Sequence, residues 1–286
     1  MKVLSFGEIL WDIFPDEQKM GGAPLNFAAH LVKNGVDTAI YSSVGDDELG
    51  KSARENVSAL GIDTSYVATV PNETGVCLVS FDGDTPIYVI KADTALDNIA
   101  YMPIDEKFDG FYFGTLAQRS ANTRETLTKL LENNKFGEIF FDINIRQKYY
   151  TKEVVDFSLK KATVFKVSRE EIGVLKELGI SKKQDFTELC KDLCEKYDNL
   201  KLVIITLDKD GSLVYQKSSQ KVYYSDKPKS KVVSTVGAGD SFSACFFANF
   251  LRGETIKNCL EKATKVSDFV VTKIQAIPDY PQDLQD

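Results

Sequence analysis

The segment Ser234-Thr235-Val236-Gly237-Ala238-Gly239-Asp240 carries the plainest chemistry in this chain. Strand-like residues precede it, and helix-like residues (Ser241 to Phe247) follow it. Gly237 and Gly239 let the backbone turn tightly and come close to a ligand. A helix that starts near Ala238 leaves its first N–H groups without partners, with a partial positive charge of about half a unit. Such a terminus is an anion hole, suited to a phosphate that gains charge during transfer. Asp240, in the first turn, is placed to take a proton from an attacking hydroxyl. Together these groups point to phosphoryl transfer, a reaction governed by positioning and charge neutralisation.

Other patterns compete for that chemistry and fail on physical grounds. Gly45-Asp46-Asp47-Glu48-Leu49-Gly50-Lys51-Ser52 matches the letters of a P-loop, but three carboxylates inside the loop would repel phosphates. Gly237-Ala238-Gly239 is no dinucleotide fingerprint, because Phe242 stands where a third Gly or Ala is needed. The single histidine, His30, sits on a helical stretch and reads as an ordinary helix residue, so no Ser-His-Asp catalysis is indicated.

Short apolar runs alternate with amphipathic stretches along the chain. Strands are expected at Lys2 to Phe6, Thr38 to Val44, Gly110 to Phe113, Glu138 to Phe141, Val164 to Val167 and Leu202 to Thr206. Helices are expected at Gly22 to Val32, Asp46 to Leu60, Arg124 to Glu132, Glu170 to Leu178, Phe186 to Tyr197, Ala238 to Leu251 and Ile256 to Thr272. This order predicts an α/β fold, a mostly parallel central sheet flanked by helices, with ligands beyond the carboxyl ends of the strands. Thr74 to Phe81 and Ile87 to Ile90 surround Asp82-Gly83, a hairpin signal, and break the alternation. Residues 1–286 are expected to form one α/β domain with a small β appendage at that hairpin.

Composition narrows the partners. Of the 286 residues 43% are hydrophobic and 27% charged, an ordinary globular balance. The net charge of -7 and the lack of a long basic cluster argue against nucleic acid. No stretch approaches the roughly 20 apolar residues of a membrane span, and the apolar run at the start ends too soon for a signal peptide. Five scattered cysteines suit a reduced, cytoplasmic protein; Cys190 and Cys194 read as core packing.

The segment ending in Asp240 resembles the C-terminal signature of the ribokinase-like (PfkB) carbohydrate kinases, usually Asp-Thr-x-Gly-Ala-Gly-Asp. Gly21-Gly22-Ala23-Pro24-Leu25-Asn26-Phe27-Ala28 and Ser43-Val44-Gly45-Asp46-Asp47-Glu48-Leu49-Gly50 match that family in order and spacing. The fructokinase branch is nearest, through Gly7-Glu8 with Asp12, Phe113 to Ser120, and Asp142-Ile143-Asn144-Ile145-Arg146. The resemblance implies an ATP-dependent kinase for a small sugar, most simply fructose, with Asp240 as base and Gly237, Ala238 and Gly239 as anion hole. It implies that Asp12, Gly22 and Asn26 hold sugar hydroxyls, with Arg146 on sugar or phosphate. Thr206, Asp208, Gly211 and Ser168 would face the nucleotide, and Asp142 and Glu171 would organise Mg²⁺. The resemblance also implies a small β-sheet lid from about 12–19 and 74–90, and a homodimer through that lid, as is common in the family.

Four positions depart from the family pattern. Ser234 replaces the usual Asp, and Gln275-Ala276-Ile277-Pro278 replaces Gly-Ala-x-Pro; both bear on a monovalent-cation site, so dependence on K⁺ is open. Asp208 stands where Gly is usual, and Ser168 replaces Asn three residues before Glu171. Ribose, a nucleoside or 2-keto-3-deoxygluconate are the alternative acceptors, and a sugar sensor without catalysis is the alternative of another class.

Overall fold

The computed structural model describes residues 1–83, 85–227 and 229–284. In chain order the elements are β1 (Lys2–Phe6), β2 (Leu10–Ile13), β3 (Gln18–Gly21), α1 (Ala23–Lys33), β4 (Asp37–Gly45), α2 (Glu48–Ala59), β5 (Val67–Val70), β6 (Gly75–Asp82), β7 (Thr85–Ile90) and β8 (Gly110–Phe113). There follow α3 (Ala121–Asn133), β9 (Glu138–Asp142), α4 (Lys152–Lys161), β10 (Val164–Ser168), α5 (Ile172–Glu177), α6 (Phe186–Lys196), β11 (Leu202–Thr206), β12 (Ser212–Gln216), β13 (Lys221–Tyr224), α7 (Ala238–Leu251) and α8 (Ile256–Val270).

Nine strands form the main sheet in the order β13-β12-β11-β10-β9-β8-β1-β4-β5. All of its pairings are parallel except β11 with β12 and β12 with β13. Parallel strands need crossovers, so helices cover both faces and the strands are apolar on both sides. Successive side chains divide between the faces. Phe111 and Phe113 pack with α3 to α6, whereas Tyr112 faces α1, α7 and α8. The same alternation sends Phe140 and Val164 to the α7 side, and with them Asp142 and Lys166, two residues further on.

Strand order reverses between β1 and β8, the place where such sheets open a crevice. The chain leaves β1 there at Gly7 (φ +145°), whose Cβ would lie 2.5 Å from Pro24 Cγ. A second, four-stranded sheet runs in the order β3-β2-β6-β7. It is tied down at its base by Asp47, which caps α2 through the Gly50 N–H at 2.7 Å and accepts from Thr74 N at 2.8 Å and Thr74 Oγ1 at 2.6 Å. That clamp is what the P-loop-like stretch builds.

The α/β architecture with a small second sheet is as the sequence predicts. The sequence reading omitted β5, α4, β12 and β13, and gave only the span 12–19 where β2 and β3 run. It also expected strand-like residues before Gly237, where no strand lies between β13 and α7 among the described residues. Cys190 and Cys194 are buried on α6 among apolar side chains. Among the described residues, no helix is long and apolar enough to cross a membrane.

Candidate active site

Gly237 precedes α7 at φ +79°, and no side chain caps the helix. A Cβ on Gly237 would lie 2.4 Å from the Ala276 carbonyl oxygen, so both conformation and contact require glycine. Gly239 is different. Its φ is not left-handed, and the nearest atom to an added Cβ would be Lys166 Nζ at 3.5 Å, an ordinary contact. The protein leaves open space at Gly239, next to the N–H groups of the first helical turn. Ser241 N–H bonds Gly237 O at 2.8 Å, whereas the N–H groups of Gly239 and Asp240 lie too early in the helix for a carbonyl one turn back.

Asp240 lies half-buried in this first turn, and its Oδ2 accepts from Asn26 Nδ2 at 2.8 Å. Burial raises the pKa of its carboxyl above the ordinary value, opposed by the Asn26 bond and by the charges of Lys166 and Arg146. A carboxylate made more basic but still bonded is suited to receive a hydroxyl proton. Beside it, Asn26 Oδ1 and Tyr112 Oη are buried without a partner among the described residues. Orphaned polar atoms of this kind mark a place for a polar ligand or ordered water. Burial, reinforced by Asp142, Asp240 and Glu8, holds the Tyr112 phenol well above its usual pKa, so it stays a donor.

Asp142 ends β9 directly opposite Lys166 of β10. Lys166 Nζ bonds both carboxylate oxygens, at 3.1 and 2.8 Å, in a buried ion pair. Burial pushes the Asp142 carboxyl up to about 6 against the pull of Lys166. Burial also disfavours charge on Lys166, but Asp142 and Glu171 outweigh it and raise its pKa. Glu171 is engaged as well, accepting from Ile145 N at 2.6 Å and Ser168 N at 2.8 Å. Neither carboxylate is free to wrap a bare ion. Their remaining lone pairs suit the water shell that Mg²⁺ keeps. Among the described residues, no three His, Cys, Asp or Glu side chains converge as a metal cage, so an ion here would need phosphate oxygens too.

On the lid side, Asp12 of β2 faces Cys77 of β6 and bonds its thiol. Burial raises the Asp12 carboxyl, while that bond and the charges of Arg146 and Lys19 lower it. Gly22 sits at φ +119°, and a Cβ there would strike the Glu8 carbonyl at 2.4 Å. Glu8 itself is 5% exposed, and burial pushes its carboxyl up to about 7. Arg146 is exposed on the loop after β9, and its charge acts on Asp12, Glu8 and Asp240 together. Arg119 is an internal tie, bonding Asp97 at 2.7 and 2.8 Å over the Tyr149 ring.

Ser168 and Thr206 are paired at the carboxyl ends of β10 and β11. Beyond Thr206, Asp208 takes φ +53° and Gly211 φ +93°. Asp208 thus occupies a left-handed position that glycine adopts freely, with its side chain exposed. Asp210 binds Arg169 at 2.9 Å and Lys227 at 3.2 Å. Ser234 Oγ accepts from Val236 N at 3.2 Å, keeping the turn before Gly237 closed.

Hydrogen bonds and charge link Asn26, Lys166, Asp142 and Arg146 to Asp240. They also link Glu171, and through it Ser168, to Asp142, and Arg146 to Asp12. Thr206, Asp208 and Gly211 lie at and beyond the end of β11 and share no such link with Asp240 among the described residues. Sequence reasoning missed Lys166 and Tyr112, and took Glu8 only as part of a motif. A lysine inside an apolar strand is a signal that such reading can use.

Comparison with known proteins adds to this geometry. A model of the pfkB family of carbohydrate kinases matches residues 6–283. The ATP-dependent 6-phosphofructokinase of Thermoanaerobacterium thermosaccharolyticum is 27% identical, covering 98% of this chain and 90% of that protein. An uncharacterized sugar kinase of Pyrococcus horikoshii, solved with ATP, superposes at TM-score 0.80 with 25% identity over 96% of this chain and 94% of the other. Fructokinase of Vibrio cholerae O395, solved with fructose, ADP and calcium, shares the fold at TM-score 0.81 with 20% identity, covering 97% of this chain and 95% of that one.

Proposed function

This chain belongs to the pfkB family of carbohydrate kinases, and from that premise we propose that it transfers the γ-phosphate of ATP to a hydroxyl of fructose. The observation that carries the reading is the Asn26–Asp240 bond at 2.8 Å beside the unpaired N–H groups of α7. It sets a base and an anion hole within one helical turn. The sugar hydroxyl would give its proton to Asp240 as the new oxygen–phosphorus bond forms. The N–H groups of Gly239 and Asp240 would take the charge that develops on the phosphoryl oxygens.

Asp12, Gly22 and Asn26 would hold the sugar, with the buried Asn26 Oδ1 ready to accept from a hydroxyl. Lys166 would keep Asp142 paired and place a fixed positive charge below Gly239. Asp142 and Glu171 would hold the water shell of a Mg²⁺ ion bound with the nucleotide, which would supply charge neutralisation at the phosphates. Ser168, Thr206, Asp208 and Gly211 would line the path of the nucleotide. Buried free cysteines agree with a cytoplasmic setting.

Charge supports the choice of acceptor class. Asp12 and Asp240 are carboxylates on the sugar side, balanced by Arg146, Lys19 and Lys166, which leaves no cation spare there among the described residues and supports a neutral polyol over an anion. Arg146 itself favours a second reading, a sugar acid such as 2-keto-3-deoxygluconate, with Arg146 on its carboxylate. A coupled ADP-release assay with Mg-ATP separates these. Fructose, ribose, adenosine, 2-keto-3-deoxygluconate and a no-sugar control are each run with and without K⁺. Fructose is expected to give the highest kcat/KM. Highest turnover with the acid would install the second reading. Silence across the panel from protein that still binds a sugar would make it a sensor.

A further inference from the structure

His30 is the only histidine in the chain and is wholly buried on α1. Its Nε2 lies 2.9 Å from the Ala276 carbonyl oxygen and its Nδ1 lies 2.6 Å from Tyr280 Oη. A carbonyl only accepts, so Nε2 carries the proton. Burial depresses the ring to about 4, which keeps it neutral. Nδ1 is then bare and accepts from the Tyr280 hydroxyl. The tautomer is therefore set by the two partners.

What this bond holds is the wall of the anion hole. The Ala276 carbonyl oxygen is the atom that a Cβ on Gly237 would strike at 2.4 Å, with Ala276 Cα next at 2.9 Å. Gly237 rests on that backbone in its left-handed conformation, and its own carbonyl takes the first helical bond of α7 from Ser241. A shift of Ala276 would let Gly237 move, and with it the N–H groups that follow.

His30 also shares a helix face with a group already at the site. Asn26 and His30, four residues apart, share one side of α1, and Gly22 stands just before its first residue. Gly22 packs on the Glu8 backbone below the lid, Asn26 bonds Asp240, and His30 bonds Ala276. A single rigid element thus touches the base of the lid, the candidate base and the support of the candidate hole.

We propose that His30 is a positioning residue for phosphoryl transfer: through Ala276 it fixes the turn at Gly237, and so the N–H groups of the anion hole, from the same helix that holds Asn26 against Asp240. The proposal rests on the kinase reading above.

Three substitutions test it. His30→Gln reaches as far as Nε2 and keeps an N–H for Ala276. His30→Asn reaches only as far as Nδ1. His30→Phe keeps the ring and donates nothing. The Asn and Phe variants are expected to lose about 10- to 100-fold in kcat, with KM for the sugar changed less than about threefold because Asp12 and Asn26 are untouched. His30→Gln is expected to recover most of that loss. Equal loss in all three, or unchanged kcat in all three, overturns the proposal, since a purely structural histidine would show as lowered Tm without that pattern.

Should the variants not fold, the wild type supplies a second readout. A two-bond ¹H–¹⁵N spectrum of the one histidine is expected to show protonated Nε2 and bare Nδ1. The Nε2 resonance is expected to move when a non-hydrolysable ATP analogue is added. The other tautomer, or a signal indifferent to the nucleotide, overturns the proposal. Absence of wild-type turnover on every sugar would instead sink the kinase reading, which the variant ratios and the tautomer do not measure.

Discussion

At the scale of single residues, the site is a set of buried charges whose balance is fixed by their neighbours. Lys166 and Asp142 illustrate it. Removing one member of a buried pair leaves an uncompensated charge, at a cost of about 3–5 kcal/mol, whereas removing both is often neutral. Lys166→Met is therefore expected to lower Tm strongly, and Lys166→Met with Asp142→Asn to regain most of the loss. Turnover should stay low in both, because the positive charge near Gly239 is gone in each. Full activity in the double variant would remove Lys166 from the chemistry. Glu8 gives a pH-dependent counterpart. Its carboxyl is raised from 4.5 to about 7 in the fold, so the folded state prefers the protonated form. The stabilisation is complete below pH 4.5 and is lost as pH rises through 7, on the order of 3 kcal/mol. Glu8→Gln carries no charge to bury. Thermal melts should show no gain in Tm over wild type near pH 4.5 and a growing gain up to pH 8. A gain independent of pH would mean that Glu8 is not held protonated.

At the scale of elements, the N-terminus of α7 separates two roles for glycine. Gly237→Ala must enter a left-handed conformation and meet the Ala276 carbonyl at 2.4 Å. It is expected to lower Tm and abolish turnover together. Gly239→Ala meets nothing nearer than 3.5 Å and gains helix propensity, by about 0.5–1 kcal/mol. It is expected to fold at least as stably as wild type yet to lose kcat, because the methyl group projects where a phosphate would approach. Melting curves and steady-state kinetics on the pair decide this; normal turnover in Gly239→Ala would place the ligand elsewhere. Elements of this kind were legible in the sequence, because the Gly-Ala-Gly-Asp turn and the apolar run after it are local. The helix bearing Asn26 and the hairpin of β6 and β7 were legible for the same reason. What escaped depended on distant neighbours. Lys166 has meaning only opposite Asp142 across two strands, and Tyr112 only under Asp240. β13 pairs only with β12 at the edge of the sheet and has no fully buried side chain, so its burial pattern carries little signal.

At the scale of the whole molecule, the second sheet has two faces, and Asp12 with its neighbour Cys77 lies on only one of them. Leu78 opposes Val89, and Ser80 opposes Ile87, so these side chains share the same face. Leu78, Ile87 and Val89 remain 50%, 45% and 51% exposed there. A run of β-branched and leucine side chains on one sheet face is costly to leave in water, at about 25 cal/mol for each Å². The two edges of that sheet, β3 and β7, pair with no further strand among the described residues. Both features suit a second copy of the chain packed lid against lid, which would also steady the sheet that carries Asp12. Sedimentation velocity at micromolar concentration is expected to show a dimer. Leu78→Lys with Val89→Lys puts like charges across that face and should give monomers. Asp12 faces the other side, so the monomers should keep kcat while KM for the sugar rises, since a lid freed from its partner orders its sugar contacts less well. A monomeric wild type would dissolve this arrangement, and a monomeric double variant with unchanged KM would separate assembly from catalysis.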